Sequence, residues 1–305
     1  MFKLRDYQED AVNACMDYLQ SKSKKPGVVV APTAAGKSWI IAEVAKRYPD
    51  KILVLQPSVE LLKQNHDKFS QLGGYASLYS DSVDSKEIGD TTYAILPSVK
   101  KIARAFKEKG VKLVIIDECH YKISPEEGSM FSIFIKALNP DKVIGLTATP
   151  FRLKSNRGGN RLAIITRIRP GYFKHFIHVT QIKEMIDRGF WSPSVDEEWS
   201  MNEDKLVLNS KGTEFTDKSI EDAIKVNGIN NKIFLRIRDI QSQKIRKSIL
   251  VFADSLETCD KFCEHIPNSA SLSGDTPTKK RAKIIEDFKS GAIHVLFNYG
   301  VLTTG

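Results

Sequence analysis

Two adjacent carboxylates and a histidine end an apolar run at residues 113–120, which read Leu-Val-Ile-Ile-Asp-Glu-Cys-His. An unbroken apolar run predicts a strand that is buried on both faces of a parallel sheet. Open α/β sheets bind their ligands beyond the carboxyl ends of such strands. There, Asp117 could hold a magnesium ion, and Glu118 could orient or deprotonate a water molecule. Acids are equally common where a strand meets solvent, so this segment alone leaves both interpretations open.

A phosphate loop is the second motif with a chemical meaning. It follows the apolar residues 28–30, spans residues 31–38 and leads directly into a helical segment. In this context backbone N–H groups and the helix N-terminus bind phosphates, Lys37 reaches the β- and γ-phosphates, and Ser38 binds magnesium. A chance Gly-Lys-Ser between a strand and a helix is the alternative. The residues predicted to bind the nucleotide here are Thr33, Ala34, Ala35, Gly36, Lys37 and Ser38.

Two alanines depart from the usual pattern of phosphate loops. The strict pattern begins with glycine, where this chain has Ala31, and Ala34 occupies a position where many such loops have glycine. If position 34 requires a positive φ, alanine there costs on the order of 1 kcal/mol. Alternatively, the loop keeps φ negative at this residue.

Together, the loop and the acid pair predict hydrolysis of a nucleoside triphosphate. A phosphate loop needs a partner strand whose terminal acid completes the magnesium coordination, and Asp117 fits that role. Glu118, beside it, can position the attacking water. A phosphotransferase would also need an acceptor pocket, of which the sequence gives no sign. We therefore predict ATP hydrolysis with Mg²⁺.

Length and composition are those of a soluble protein with about two domains. The chain has 305 residues, of which 41% are hydrophobic and 27% are charged. No apolar stretch approaches the roughly 20 residues that cross a bilayer, and the N-terminus lacks the apolar region of a signal peptide. The four cysteines form no metal-ligand spacing, which predicts reduced thiols. We therefore expect a cytoplasmic protein that does not contact membranes.

A basic segment between residues 151 and 190 points to a polyanionic partner. The chain carries a formal charge of +9, and this segment has nine basic residues against two acids, Glu184 and Asp187. A local excess of this size is typical of a nucleic-acid contact. A solvated linker is the alternative, which charge alone does not exclude.

Apolar runs alternate with helix-like segments along the first half of the chain, as in consecutive βαβ units. This pattern predicts strands at residues 27–31, 51–56, 91–96, 111–117 and 142–147. It predicts helices at residues 5–20, 37–47, 58–70, 98–109 and 129–138. A second alternating region predicts helices at 216–241, 255–265 and 277–290 and strands at 248–253 and 293–298. The predicted fold is α/β with parallel sheets, divided into a first domain at 1–152, a basic linker at 153–215 and a partial second domain at 216–305.

Further motifs follow each other in an order that matches one known family. They are residues 4–8 (adenine recognition), 31–38 (motif I), 54–58 (Ia), 96–99 (Ib), 117–120 (a DECH variant of the DEAD/DEAH box), 145–150 (III), 249–252 (IV), 272–275, and 296–305 (V, cut short). The chain thereby resembles superfamily 2 helicases and translocases. The resemblance implies two RecA-like domains in tandem, the second truncated at its C-terminus.

The resemblance assigns roles at the nucleotide site. Gln8 would pair with the adenine edge, as amides do, which favours ATP over GTP. Arg5 would pack against the base. A helix-surface amide and an exposed arginine are the alternatives. The implied catalytic residues are Lys37, Asp117, Glu118 and His120, with magnesium held by Ser38 and Asp117.

The resemblance also implies a nucleic-acid path and a coupling element. Serines at helix starts can bind a phosphate, although serines that only cap a helix have the same sequence pattern. His120 would carry the state of the nucleotide site toward Thr147 and Thr149, and a structural histidine is the alternative. The implied nucleic-acid contacts are Pro57, Ser58, Ser98, Arg152, Thr303 and Thr304.

We therefore predict an ATP-dependent DNA helicase or translocase that moves on or remodels DNA, including forked or branched DNA during branch migration. Single-stranded, forked or branched DNA is the expected partner, RNA is less expected, and a monomer is expected. The alternatives are a restriction-type double-stranded DNA translocase subunit and an RNA helicase. Family members carry an arginine finger beyond motif V, so we expect these 305 residues alone to hydrolyse ATP weakly. Similarity to repair, recombination and phage enzymes implies a bacterial or phage-infected cytoplasm.

Overall fold

The computed structural model describes residues 3–83, 85–120, 128–156, 159–210 and 215–302. The chain divides into two compact units, Met1–Val195 and Asp196–Gly305. Each unit is built on a parallel sheet with helices packed against it, so the predicted α/β class is confirmed. No helix within the described ranges is both long and apolar enough to span a bilayer.

The first unit holds the larger sheet. Its strands are β1 (Gly27–Val30), β2 (Lys51–Gln56), β3 (Ser77–Ser80), β4 (Ser85–Lys86), β5 (Thr91–Ile95), β6 (Val111–Ile116), β7 (Lys142–Thr147), β8 (Phe151–Asn156), β9 (Gly159–Ile164) and β10 (His175–Val179). Its helices are α1 (Asp6–Gln20), α2 (Lys37–Arg47), α3 (Val59–Gln71), α4 (Leu96–Val99), α5 (Ala103–Glu108), α6 (Met130–Leu138) and α7 (Ile182–Asp187), with a 3₁₀ turn at Asp81–Val83. Eight of the strands form one sheet in the order β10-β1-β7-β6-β2-β5-β3-β4. Within it, only the β3–β4 pair is antiparallel.

Two apolar layers cover the two faces of this sheet. Side chains alternate between the faces of a strand, so Val54 and Ile115 face one core while Leu55 and Ile116 face the other. Helices α1, α2 and α3 pack on the first face, and α4, α5 and α6 pack on the second. Burial on both faces explains why these strands appear in the sequence as unbroken apolar runs.

The predicted linker at 153–215 contains part of the first unit. Strand β10 pairs in parallel with β1 at the edge of the large sheet, and β8 and β9 form an antiparallel hairpin. The boundary between the two units falls after Val195. The sequence of β10, His-Phe-Ile-His-Val, does not predict a strand. Its edge position leaves the side chains partly exposed, and two histidines interrupt the apolar pattern.

The second unit is smaller. Its elements are α8 (Asp217–Val226), α9 (Ile229–Gln243), β11 (Ile249–Phe252), α10 (Leu256–His265), β12 (Ser269–Leu272), α11 (Thr278–Ser290) and β13 (Val295–Asn298). Strand β13 lies between β11 and β12 and is parallel to both. The helix predicted at 216–241 is interrupted at Gly228, which adopts a left-handed backbone (φ 61°) that glycine tolerates. The sequence of β12, Ser-Ala-Ser-Leu, lacks the apolar run that would have predicted a strand.

Candidate nucleotide-binding site

The phosphate loop and the acid turn, defined as residues 117–120, follow strands that lie close together. Strand β7 lies between β1 and β6, so the segments after all three strands meet at one edge of the sheet. The Ala31 N–H donates to the Thr147 carbonyl (3.0 Å), and the Cys119 N–H donates to the Leu146 carbonyl (2.9 Å). The end of β7 therefore connects the phosphate loop on one side with the acid turn on the other.

The phosphate loop adopts a left-handed backbone at two residues. Gly36 is the N-cap of α2 with a φ of 84°, and a Cβ at this position would lie 2.4 Å from Nε2 of Gln8. Both the backbone and the space therefore require glycine there. Ala34 has a φ of 61°, so the alternative of a negative φ is wrong. An alanine in this region stores about 1–2 kcal/mol of strain.

Lys37 and Glu118 join the two motifs by an ion pair. Nζ of Lys37 lies 3.2 Å from Oε1 of Glu118, and both side chains are mostly buried. The lysine of the phosphate loop and the candidate base of the acid turn thus face the same small space. Hydrolysis of a phosphate anhydride needs this juxtaposition of a phosphate-binding cation and a carboxylate that can orient water.

Asp117 is buried, with 5% of its surface exposed, and is held at both carboxylate oxygens. Its Oδ2 accepts a hydrogen bond from Nδ2 of Asn65 (3.0 Å), and its Oδ1 accepts one from the Glu118 N–H (2.9 Å). The pKa of Asp117 is raised to about 6, chiefly by burial and then by the charge of Glu118, while Lys37 opposes the rise. The carboxylate is therefore fixed in orientation but destabilised by its surroundings until a cation approaches it.

Ser38 and Asp117 supply the oxygen ligands that Mg²⁺ prefers. Ser38 lies in the first turn of α2, and Asp117 directly follows β6. Within the part of the chain that the structure describes, no group of three or more His, Cys, Asp or Glu side chains could hold a metal. Magnesium that is shared with nucleotide phosphates needs only one or two protein ligands. The pair therefore fits an ion that binds together with a triphosphate.

Arg152 holds the backbone of the acid turn. Its Nε donates to the His120 carbonyl (2.6 Å) and its Nη2 to the Cys119 carbonyl (3.5 Å), while burial lowers its pKa. Glu118 has a left-handed φ of 46°, a conformation that persists in non-glycine residues only where neighbours fix it. The guanidinium predicted to contact nucleic acid is therefore directed at the protein's own carbonyl groups, because Arg152 lies at the start of β8, beside the acid turn.

The predicted coupling residues lie together. Nδ1 of His120 is 2.7 Å from Oγ1 of Thr147 and 3.4 Å from Oε2 of Glu118. The same threonine oxygen accepts a hydrogen bond from the Thr149 N–H (3.0 Å). Burial lowers the pKa of His120 below its ordinary 6.5, so the ring is neutral near pH 7. A continuous set of polar contacts thus runs from the candidate base to the segment after β7.

Gln8 is a buried side chain, 5% exposed, rather than a helix-surface amide. Its Oε1 accepts a hydrogen bond from the Arg5 N–H (2.9 Å), and its Nε2 donates to the Ala35 carbonyl (2.9 Å). The oxygen can accept one more hydrogen bond and the nitrogen can donate one more. Gln8 therefore has the capacity to pair with an adenine while it holds the phosphate loop.

Arg5 lies over an aromatic ring that the sequence analysis missed. Its guanidinium carbon is 4.7 Å from the ring centroid of Phe190, and that of Arg188 is 5.0 Å from the same centroid. Tyr7 contacts the ring edge to face, at 5.1 Å between centroids. A planar cation supported by an aromatic ring suits stacking on a purine. A cavity of about 620 Å³ is lined by Lys3, Leu4, Arg5, Asp6, Glu9 and Phe190.

The two serines predicted to contact nucleic acid have hydrogen-bond partners within the protein. Ser58 is the N-cap of α3, and its Oγ accepts a hydrogen bond from the Leu61 N–H (3.3 Å), as a plain cap does. Oγ of Ser98 accepts one from the Asp81 N–H (3.4 Å). Pro57 is half-buried before the cap. The predicted contacts of the second domain, Thr303 and Thr304, lie outside the described residues.

Two site residues, Asn65 and Phe190, have weak sequence signals. Asn65 occupies a position of α3 that faces the core, between Leu62 and Phe69 at helical spacing. A polar residue among core-facing positions of a helix was the sequence signal that could have identified Asn65. Phe190 follows a short helix far along the chain, and only the fold brings it to the N-terminus.

Two family models match this chain in order. One, described as the type III restriction enzyme res subunit, matches residues 1–152, and the helicase conserved C-terminal domain matches residues 231–305. IRC3 of Saccharomyces cerevisiae, named as an ATP-dependent helicase, is 25% identical over 99% of this chain and 45% of its own length. Rad25 of Haloarcula marismortui, named as a DNA 3'-5' helicase, is 26% identical over 96% of this chain and 44% of its own length. The chain spans about half the length of the curated relatives it matches.

A solved structure supports the fold independently. The Hef helicase domain of Pyrococcus furiosus aligns with 98% of this chain and 88% of its own, with a TM-score of 0.54 and 16% identity. The two parallel-sheet units are therefore RecA-like. With the ordered motifs, the matched models and the relatives, the conclusion is that this chain belongs to the superfamily 2 helicases.

Proposed function

We propose that this protein is an ATP-dependent DNA helicase or translocase that couples ATP hydrolysis to movement on DNA, including forked or branched DNA. The observation that carries the proposal is the meeting of the phosphate loop and the acid turn, where Nζ of Lys37 lies 3.2 Å from Oε1 of Glu118. A module that only binds a nucleotide needs no carboxylate at the γ-phosphate end of its site.

Each residue of this pair has a defined task during turnover. Lys37 leaves Glu118 to bind the β- and γ-phosphates, while the loop N–H groups and the start of α2 bind further phosphate oxygens. Ser38 and Asp117 would hold magnesium, which neutralises phosphate charge when bound. Glu118, released from Lys37, orients and deprotonates the attacking water. The departure of Lys37 thus makes the base available only when a triphosphate is in place.

Recognition of the base is assigned to the start of α1. Gln8 would pair with the adenine edge, and Arg5, supported by Phe190, would stack on its face. This arrangement supports ATP as the nucleotide, because an amide distinguishes the donor and acceptor pattern of adenine from that of guanine.

The choice of DNA over RNA rests on the relatives, because the basic charge of the protein suits the phosphates of either nucleic acid. Two relatives are named as a DNA 3'-5' helicase and a DNA 3'-5' translocase. Between positions 151 and 190, eight basic residues besides the internally bonded Arg152 suit a phosphate backbone. The description of the model that matches residues 1–152 favours a second candidate, a restriction-type translocase on duplex DNA. Contacts between helix starts and phosphates read no sequence, which suits either motor.

The test is ATP hydrolysis by the purified chain with single-stranded DNA, blunt duplex, a fork, a four-way junction and RNA side by side. We expect slow basal turnover and stimulation by single-stranded, forked or branched DNA above that by RNA. Lys37→Ala serves as the inactive control. Stimulation by blunt duplex without strand separation would support the duplex translocase, and stimulation by RNA alone would overturn the choice of DNA. If wild type and Lys37→Ala hydrolysed ATP equally, the motor proposal would fail.

A further inference from the structure

Three side chains of α3 are buried against the sheet, and Asn65 is the polar one among them. Leu62 and Phe69 of the same face are buried core residues, and Asn65 between them is 0% exposed. A buried amide costs free energy unless hydrogen bonds replace those it made with water. A leucine in this position would extend the core, so packing alone does not explain the asparagine.

The amide of Asn65 is directed at Asp117. Its Nδ2 donates to Oδ2 of the carboxylate over 3.0 Å, while Oδ1 of the same carboxylate accepts the Glu118 N–H over 2.9 Å. One donor from a helix and one from the acid turn therefore fix the plane of the carboxylate. Both hydrogen bonds leave each oxygen a further lone pair for a cation.

Other polar atoms surround this pair without partners of their own. Among the described residues, the buried atoms that lack a hydrogen bond include Oδ1 of Asn65, the hydroxyl of Tyr93 and both amide atoms of Gln56. Gln56 ends β2 beside Asp117, one position after the paired residues Leu55 and Ile116. Each unsatisfied buried polar atom lowers the stability of the fold. Because these polar groups behind one carboxylate destabilise the fold, they indicate a role in the site rather than in folding.

We propose that Asn65 is a positioning residue for Asp117, which it orients for the magnesium ion bound together with ATP. This proposal rests on the function proposed above. Asn65 lies behind the carboxylate and acts on the ion through it. Outer partners that orient a metal ligand typically change metal affinity by about 10–100-fold when they are removed.

The test compares nucleotide affinity with and without magnesium, so it needs no turnover. The intact chain is titrated with the fluorescent analogue N-methylanthraniloyl-ATP in excess Mg²⁺ and again in EDTA. For wild type we expect tighter binding with Mg²⁺. For Asn65→Leu, which keeps the branched shape of the side chain but removes the donor, we expect this magnesium-dependent gain to fall roughly tenfold, with the affinity in EDTA unchanged. Gln64→Leu, the same change at an exposed neighbouring amide of α3, should keep the full gain.

The possible outcomes separate the two proposals. If wild type binds the analogue no better with Mg²⁺ than with EDTA, the magnesium–ATP site of the proposed function is wrong. If wild type shows the gain and Asn65→Leu keeps it, the positioning role of Asn65 is wrong. Equal losses in Mg²⁺ and in EDTA would also overturn it, since they indicate a structural role. Should Asn65→Leu fail to fold, Asn65→Ser, whose side chain is too short to reach Asp117, gives the same comparison.

Discussion

The acid turn and the phosphate loop meet at one edge of the sheet, yet they are held in different ways. The acid turn is hydrogen-bonded to four separate elements: to Leu55 of β2, to Leu146 of β7, to Asn65 of α3 and to Arg152 of β8. The phosphate loop is attached near its two ends, through Ala31 to β7 and through the Ala35 carbonyl to Gln8. Its tip, at positions 33 and 34, is exposed.

This difference assigns a rigid part and an adaptable part to the site. Both regions contain a non-glycine residue with a positive φ, Glu118 in the acid turn and Ala34 in the loop. Around Glu118 the strain is opposed by many bonds, which keeps the candidate base in place before any ligand arrives. At Ala34 the exposed tip can move, and phosphate binding would organise it. We therefore expect the acid turn to be prepared in advance and the loop to complete its shape on a nucleotide.

The largest expected effect is at Glu118, where the two regions join. Glu118→Gln removes the candidate base, so nucleic-acid-stimulated ATP turnover should fall by roughly 10²–10⁴-fold. ATP affinity should rise about two- to fivefold, because Lys37 no longer has to leave a carboxylate, and desolvation of the charges cancels most of the free energy of such a mostly buried ion pair. Hydrolysis assays and nucleotide titrations measure the two effects, and Glu60→Gln, on the exposed face of α3, is the control. Weaker ATP binding by Glu118→Gln would contradict the assigned exchange of partners.

Arg152 tests whether the acid turn owes its rigidity to bonds from outside. Arg152→Gln leaves the Cys119 and His120 carbonyls without their charged donor, so the free energy of unfolding should fall by about 3 kcal/mol. Urea unfolding measures it, with Arg104→Gln on the exposed face of α5 as the matched control. Arg152→Lys should recover part of the loss, since an amine reaches one carbonyl but cannot span both. If Arg152→Gln and Arg104→Gln are equally stable, the contrast with the phosphate loop would lose its main support.

Asp117 should destabilise the protein that holds no nucleotide. Its folded pKa is about 6 against an ordinary value of 3.8. Below the ordinary value the carboxyl is protonated in both states, so it has no effect. Between the two values only the unfolded state ionises, so stability falls as pH rises, and above the folded pKa a constant penalty of about 3 kcal/mol remains.

Asp117→Asn should therefore be more stable than wild type by about 2 kcal/mol near pH 7, because the amide escapes the charge penalty but loses one acceptor oxygen. The advantage should shrink toward pH 4, where the wild-type carboxyl is protonated. Urea unfolding across this pH range measures it, with Asp10→Asn, at an exposed position of α1, as the matched control. A wild type that is more stable than Asp117→Asn near pH 7 would refute the penalty.

The sequence was informative where residues are both buried and periodic. The strands of the large sheet that carry the motifs are apolar runs, so β1, β6 and β7 were predicted within a residue or two, and with them the positions of Lys37 and Asp117. Edge strand β10 and the serine-rich β12 were missed, because partial exposure removes the apolar pattern on which such predictions depend.

Residues whose roles depend on distant partners could not be read from local patterns. Arg152 belongs to a basic segment, and charge density suggested nucleic acid, but its actual partners are two backbone carbonyls of the acid turn. Asn65 and Phe190 reach the site only through tertiary contacts with Asp117 and Arg5. The sequence analysis left the sign of φ at Ala34 open, because alanine does not signal the positive value that the structure shows.

The smallest expected effect is at the tip of the phosphate loop. Ala34→Gly relieves a left-handed backbone that disfavours alanine by about 1–2 kcal/mol, and the greater freedom of glycine in the unfolded chain takes back part of this gain. We expect a net increase in stability of about 0.5–1 kcal/mol by urea unfolding. Gly36→Ala should act in the opposite direction, because its φ of 84° is equally unfavourable and its Cβ would meet Gln8. The sign of the change in the free energy of unfolding caused by Ala34→Gly decides whether the phosphate loop is held less firmly than the acid turn. A loss of stability would mean that Ala34 is held as firmly as Glu118, and the phosphate loop would then be as prepared for its ligand as the acid turn.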